Sequence, residues 1–100
     1  MLASGYVPTA TATVYTAPEG GIWIGSLTMV NEDTGTDFCN VNIFIVPRNG
    51  DAVSIIPKNE YLGAEGLILE DTPRFLKEGT EIRMDCTHGS NVKFTINPLR

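Results

Sequence analysis

The feature that most constrains this chain is the alternation of side chains in two apolar runs. In the first run, Trp23, Leu27 and Met29 fall on one face of an extended backbone. In the second run, one face carries Cys39, Val41, Ile43 and Ile45, and the opposite face carries Asn40, Asn42 and Phe44. A period of two is that of a β-strand with one buried face. The pattern therefore predicts two long strands, with Trp23 packed in the core beside Leu27 and Met29.

Turn signals separate these runs from the rest of the chain and predict the fold class. A Pro-Glu-Gly-Gly turn ends at Gly21, and Asn49-Gly50 is a hairpin signal. Strand-like runs recur with turns between them about every ten residues. This spacing predicts an all-β fold, an antiparallel β-sandwich or jelly-roll-like barrel of about seven to eight short strands.

The expected strands cover residues 9 to 16, 22 to 30, 39 to 46, 51 to 56, 66 to 71, 81 to 86 and 92 to 97. Residues 73 to 77 are expected to form a single helical turn. The last two strands alternate most clearly, and residues 87 to 91 are expected to join them as a hairpin loop that contains His88.

Residues 1 to 8 differ in composition from the rest and are predicted to be an N-terminal arm that precedes a single domain of residues 9 to 100. They are mostly small and polar, with too little apolar area to offset about 1 to 2 kcal/mol of backbone entropy per ordered residue. Leu2, Tyr6 and Val7 are the apolar exceptions. We expect these three residues to anchor the arm on a partner, so that deletion of the arm weakens assembly and spares stability.

Composition excludes several classes of function. The net charge is −5 and the basic residues are scattered, which is unlike a nucleic-acid-binding surface. No apolar run approaches the roughly 20 residues of a membrane helix, and the N-terminus lacks the pattern of a signal peptide. Cys39 and Cys86 fall on predicted core faces and are expected to be buried and reduced. Their spacing does not suit a zinc site, so no metal or cofactor is expected.

No group of residues predicts catalysis. The one histidine, His88, lies in a predicted loop, where a solvated side chain is the usual outcome. A jelly-roll enzyme of the cupin type needs two or three histidine ligands, which this chain cannot supply. The paired carboxylates Glu32-Asp33 and Glu70-Asp71 fall in turn-like positions. We therefore expect a protein that is not an enzyme and has no catalytic residue.

Several short segments carry a resemblance to a known group of proteins. They are Val14 to Gly20, Ile24 to Leu27, Val30-Asn31, Val41 to Ile45, Ile56-Pro57 and Leu76 to Ile82. A Tyr-Thr-Ala-Pro turn, a strand that ends in Asn, a strand like Val41 to Ile45, and a Leu-x-x-Gly element before an Ile resemble small structural proteins of tailed bacteriophages. The resemblance covers about residues 14 to 86, and Thr80 stands where these proteins often carry an acidic residue.

The resemblance implies a virion component that assembles in the host cytoplasm, a capsid decoration (cement) protein bound to the major capsid protein. A neck or tail accessory protein is the alternative location. A small domain gains affinity for a repeating shell by presenting several contacts at once, so we expect a homo-oligomer, a homotrimer. A carbohydrate- or receptor-binding module of a phage tail is the competing hypothesis. An exposed Trp23 would favour this module, and a Trp23 packed in the core would favour the structural protein.

Overall fold

The computed structural model describes residues 1 to 33, 35, 37 to 87 and 91 to 99 of the 100-residue chain. Its regular structure consists of ten strands in two antiparallel sheets. In chain order these are β1 (Ala3–Tyr6), β2 (Ala12–Thr16), β3 (Ile22–Asn31), β4 (Cys39–Val46), β5 (Val53–Ser54), β6 (Glu60–Leu62), β7 (Leu67–Glu70), β8 (Arg74–Leu76), β9 (Glu81–Cys86) and β10 (Val92–Pro98).

The strand order is that of a jelly roll. Sheet 1 has the order β1-β10-β3, and both β7 and β8 pair with the remaining edge of β3. Sheet 2 has the order β2-β9-β4, and both β5 and β6 pair with the remaining edge of β4. If each short pair is taken as one interrupted strand, every sheet has four columns and the chain alternates between the sheets, except that β4 is followed by β5 and β6 in the same sheet. The expected all-β sandwich is confirmed.

The core lies between the sheets and is formed by residues that alternate along the strands. Val41, Ile43, Ile82, Met84 and Ile96 are each 0% exposed. Cys39 and Cys86 are 2% exposed, which confirms the expected burial of both thiols. The remaining buried apolar residues are Val7, Ala17, Ile24, Leu27, Met29, Leu62, Leu76, Val92 and Phe94.

A β-bulge in β3 makes the predicted position of Trp23 wrong. Opposite β10, Asn97 pairs with Ser26 and Pro98 pairs with Ile24, so Gly25 is an extra residue in β3. The bulge reverses the alternation, because Ile24 faces the core before it while Leu27 and Met29 face the core after it. Trp23 consequently lies on the outer side and is 51% exposed. A glycine is required here, since a Cβ atom on Gly25 would lie 2.8 Å from the carbonyl oxygen of Pro98.

The segment predicted as a separate arm is instead the edge strand of sheet 1. Residues Ala3–Tyr6 form β1 and pair with β10 from Ala3 opposite Ile96 to Tyr6 opposite Lys93. Val7 follows β1 and is 1% exposed, within the core cluster. The composition argument missed this because it counted only the apolar area of the segment. The strand also gains a ladder of backbone hydrogen bonds to β10, and Leu2 and Ala3 pack against the core beside Val7.

The remaining strand predictions have mixed outcomes. Residues 66 to 71 contain β7 as expected, and the Asn49-Gly50 hairpin is confirmed by the pairing of β4 with β5, although β5 has only two residues. The helical turn over residues 73 to 77 is wrong, because Arg74–Leu76 is strand β8. Strands β9 and β10 are confirmed, but they lie in different sheets and form no hairpin. His88 lies outside the described residues.

Candidate interaction surface

Exposed apolar side chains lie on the outer face of sheet 1, the side that points away from sheet 2, interspersed with hydroxyl and amide side chains. One cross-strand row runs from β1 to β7 through residues directly opposite one another, which share a face of the sheet. It consists of Tyr6, Lys93, Val30 and Leu67. The next row consists of Ser4, Thr95, Thr28 and Leu69. Of the large side chains in these rows, Leu67 is 60% exposed, Tyr6 and Leu69 are 55% exposed and Val30 is 36% exposed.

An aromatic pair extends this surface past the bulge of β3. Trp23 lies opposite Phe75 of β8, their ring centroids are 5.5 Å apart, and the rings are tilted by 56°. Phe75 is 46% exposed. Gly21 makes room for the pair, because it has φ +78 and a Cβ atom there would lie 2.5 Å from the Phe75 ring. We call the six exposed side chains Tyr6, Trp23, Val30, Leu67, Leu69 and Phe75 the apolar face.

The apolar face is nearly free of charge within the described strands. Lys93 is the one basic residue among the outward positions of the two rows. Its ammonium lies 3.6 Å from the carboxylate of Glu32, which follows the end of β3, and the two form an ion pair. The Lys93 ammonium also lies 5.3 Å from the centroid of the Tyr6 ring. No carboxylate occupies an outward position in either row, although the chain carries twelve acidic residues.

The outer face of sheet 2 has the opposite character, because polar side chains on it bond to one another. The Asn42 amide donates to Asn59 Oδ1 at 3.0 Å and to Asp85 Oδ1 at 2.8 Å. The Asn59 backbone N–H donates to Asn42 Oδ1 at 2.8 Å, and the Thr11 hydroxyl donates to Asp85 Oδ2 at 2.6 Å. We call these four residues the polar ladder. Asn42 is only 8% exposed, so its amide depends on these partners.

A second polar group on the same face surrounds Glu81. Its carboxylate accepts hydrogen bonds from the Thr13 hydroxyl at 2.7 Å and from the Arg83 guanidinium at 2.7 and 2.9 Å. These interactions, with the Thr13 hydrogen bond the largest, hold the pKa of Glu81 below its ordinary value. The sheet 2 surface therefore satisfies these polar groups within the chain. At its β6 edge it also exposes an aromatic pair: Tyr61, opposite Asn40, is 64% exposed and stacks on Phe38, which is 46% exposed, with ring centroids 5.1 Å apart and the rings inclined by 26°.

The described residues contain no arrangement that indicates a metal centre or an enclosed active site. No group of three or more His, Cys, Asp or Glu side chains is placed there to hold a metal ion. One depression of about 480 Å³ is lined by Met1, Gly25, Ser26, Asn97 and Pro98, none of which carries an ionisable side chain. A second, of about 420 Å³, includes Glu81 and Arg83, which are paired with each other. Within the same residues, no helix has the length and apolar character needed to cross a membrane.

The three residues predicted to contact a partner have different surroundings. Tyr6 belongs to the apolar face, Leu2 is half-buried against the core, and Val7 is buried in it. Their role in partner binding stays a prediction. Of the three, Tyr6 alone is exposed enough to contact a partner directly. Sequence reasoning missed Leu67, Leu69 and Phe75 as surface residues. The alternation of Leu67, Ile68 and Leu69 was the available signal, since a strand cannot bury all three.

Comparison with protein-family models, with curated proteins and with solved structures finds no match to this chain.

Proposed function

We propose that this protein is a non-enzymatic virion structural protein, a capsid decoration protein that binds the major capsid shell as an oligomer. The apolar face is the observation that carries the proposal. Its six large side chains come from three of the four columns of sheet 1 (β1, β3 and the β7–β8 column) and are each at least 36% exposed, while β10 contributes Lys93 and Thr95 to the same face. Contiguous exposed apolar surface on a folded domain marks a site of contact with another protein or a membrane. A structural subunit needs such a contact surface and needs no catalytic group.

The fold and the resemblance support the same proposal. Double-sheet jelly rolls occur among viral capsid domains and among lectins, so the fold is compatible with a virion role without demanding it. The phage-like segments include the turn before β3 and the end of β8, which are the two elements that present Trp23 and Phe75. The edge strand β1 leaves one border of sheet 1 open to addition of a strand from a neighbouring subunit.

Immunogold labelling of purified particles tests the proposal. Antibodies against the recombinant protein should label the shell of intact phage particles from a culture that produces the protein, and the protein should co-sediment with those particles. Label confined to the neck or tail would move the protein to the accessory location. Absence of the protein from washed particles would contradict a virion role altogether.

Carbohydrate or receptor binding by a tail module is the second candidate, because Trp23 is exposed. An aromatic ring at a surface can stack on the apolar face of a sugar ring, and Trp23 and Phe75 lie side by side. The two rings are tilted by 56°, however, and do not form one flat platform. The neighbouring outward row contains Ser26 and Asn97, whose side chains already hydrogen-bond to each other at 3.2 Å.

Fluorescence of the single tryptophan separates the two candidates. If the second candidate holds, titration with chitohexaose or with lipopolysaccharide should quench or shift the emission of Trp23 with saturation, and Trp23→Ala should abolish binding in calorimetry. A structural protein should show no saturable change with either ligand.

A further inference from the structure

We infer that Asn49 is a site of spontaneous deamidation, at which the side-chain amide is converted to aspartate and isoaspartate while the protein is folded. The site lies in the turn between β4 and β5 of sheet 2, whereas the apolar face belongs to sheet 1. The inference goes beyond the proposed function and does not depend on it, because it concerns the chemistry of one turn.

Asn49 is the only asparagine of the chain that is followed by a glycine. Deamidation begins when the backbone nitrogen of the next residue attacks the carbonyl carbon of the asparagine side chain. A side chain on that next residue hinders the approach, and glycine has none. The other asparagines precede Glu, Val, Ile or Pro. Gly50 therefore supplies the least hindered nucleophile next to any asparagine of this protein.

The turn exposes the reacting groups and leaves the amide side chain able to rotate. Every residue from 47 to 54 is exposed, and the Asn49 side chain makes no hydrogen bond within the described part of the chain. The Gly50 N–H donates to the carbonyl oxygen of Pro47 at 2.9 Å. This bond must open before the attack. Its opening costs about 1 kcal/mol, which slows the reaction by less than about tenfold.

The geometry of the turn retains the reactive pair of residues. A Cβ atom on Gly50 would lie 3.1 Å from Pro47 Cβ, closer than ordinary van der Waals contact. Asn49 has φ 59, a left-handed conformation that asparagine tolerates better than most residues with a side chain. The two residues that suit this tight turn are therefore the same two that react.

The reaction consumes water and releases ammonia, with no oxidation or reduction. The Gly50 nitrogen forms a bond to Asn49 Cγ, the bond from Cγ to Nδ2 breaks, and the side-chain nitrogen leaves as ammonia with the proton of the Gly50 N–H. Water then opens the cyclic succinimide at either carbonyl carbon, which gives aspartate or isoaspartate. Both products place a new negative charge beside Arg48, and isoaspartate also lengthens the backbone of the turn.

Asn59 is the matched control within the same chain. It is exposed and has φ 55, so neither exposure nor backbone conformation separates it from Asn49. Its side chain is held in place, because Asn59 Oδ1 accepts a hydrogen bond from the Asn42 amide at 3.0 Å. Cleavage by trypsin releases the two asparagines in separate peptides, residues 49 to 58 and residues 59 to 74, and neither peptide contains another asparagine.

Peptide mapping by mass spectrometry tests the inference on the folded protein, aged at mildly alkaline pH, with unaged protein as the zero-time sample. The peptide of residues 49 to 58 should gain the mass shift of an amide converted to an acid and should separate into two product peaks. Its rate of conversion should exceed that of the peptide of residues 59 to 74 by roughly tenfold or more, which corresponds to about 1.4 kcal/mol in activation free energy.

Asn49→Gln is the control variant, because it keeps the amide and the following glycine but lengthens the side chain, so the five-membered ring cannot form. The conversion should disappear in this variant. A smaller ratio of rates in the wild type, conversion that appears only when urea unfolds the chain, or conversion that persists in Asn49→Gln would overturn the inference. Particle labelling is independent of these outcomes, so failure of the inference would leave the virion proposal standing.

Discussion

The two outer faces of this sandwich differ although the two sheets have the same number of columns and share one core. On sheet 2, the Asn42 amide and the Asp85 carboxylate bond to neighbours within the chain. On sheet 1, the corresponding outward positions carry Val30, Leu67 and Leu69, whose apolar area remains in contact with solvent.

The difference shows how a sheet surface can serve either the protomer or its partner. A polar ladder with satisfied hydrogen bonds adds to the stability of the protomer and leaves little for another molecule to bind. An exposed apolar row adds little to protomer stability, and its burial becomes favourable only when another surface covers it. On the outer face of sheet 2, hydrogen bonds within the chain support the protomer, whereas the outer face of sheet 1 exposes the apolar side chains that we propose as a contact surface.

The largest effect is expected from deletion of β1, which tests whether this edge strand of sheet 1 is part of the folded protomer. Deletion of residues 1 to 8 should lower the free energy of unfolding by about 3 kcal/mol or more, because it removes buried Val7 and the ladder between β1 and β10. Urea denaturation will measure this.

The control for the deletion is Tyr6→Ser, which changes an outward residue of the same strand and should alter unfolding by no more than about 0.5 kcal/mol. A deletion variant that melts like the wild type would restore the interpretation of these residues as an arm outside the fold.

An intermediate effect is expected from Asn42→Ala in the polar ladder. The substitution removes the acceptor of the Asn59 N–H and one donor to the Asp85 carboxylate, each now at 2.8 Å. We expect the free energy of unfolding to fall by about 1 to 3 kcal/mol. Thr28→Ala on the outer face of sheet 1 is the comparison variant. Thr28 and Thr95 share a hydroxyl hydrogen bond, and its loss should cost less than about 1 kcal/mol. Equal costs in chemical denaturation would remove the distinction between the two faces.

The smallest effect concerns the pH dependence of sheet 2. The pKa of Glu81 is lowered in the folded protein by Thr13 and Arg83, so its contribution to stability is present above the unfolded value of 4.5 and is lost as pH falls through the folded pKa. Thermal melts of wild type and Glu81→Gln should therefore differ at neutral pH and converge in acid. Glu19→Gln is the control at an exposed turn position. A difference that persists unchanged below pH 3, about one unit under ordinary carboxylate values, contradicts the assignment.

Local patterns were sufficient for most of the core and for the fold class. The alternation from Cys39 to Ile45 correctly placed Val41 and Ile43 inside, and the strands at residues 81 to 86 and 92 to 97 were correct. Burial of both cysteines followed from the same period of two. These features depend on neighbours two residues apart in sequence, so the chain itself contains the information.

The candidate surface was less predictable, because it depends on where β3 is interrupted. Strict alternation assigned Trp23 to the core, and one extra residue at Gly25 reversed that assignment. The bulge is fitted to Pro98, more than seventy residues away in sequence, as the close approach of its carbonyl oxygen to Gly25 shows. The pattern around Gly25 alone does not reveal that contact.

The sequence by itself therefore determined that this protein is an antiparallel β-sandwich with seven of these ten strands and most of this core, since alternation and turn chemistry are local properties. Only the tertiary structure decided that β9 and β10 lie in different sheets, that Val7 closes the core, and that Trp23 and Phe75 share an outer face. The physical reason is that strand pairing is non-local: each ladder joins segments whose registry depends on the packing of the whole domain, and a shift of one residue exchanges the buried and exposed faces.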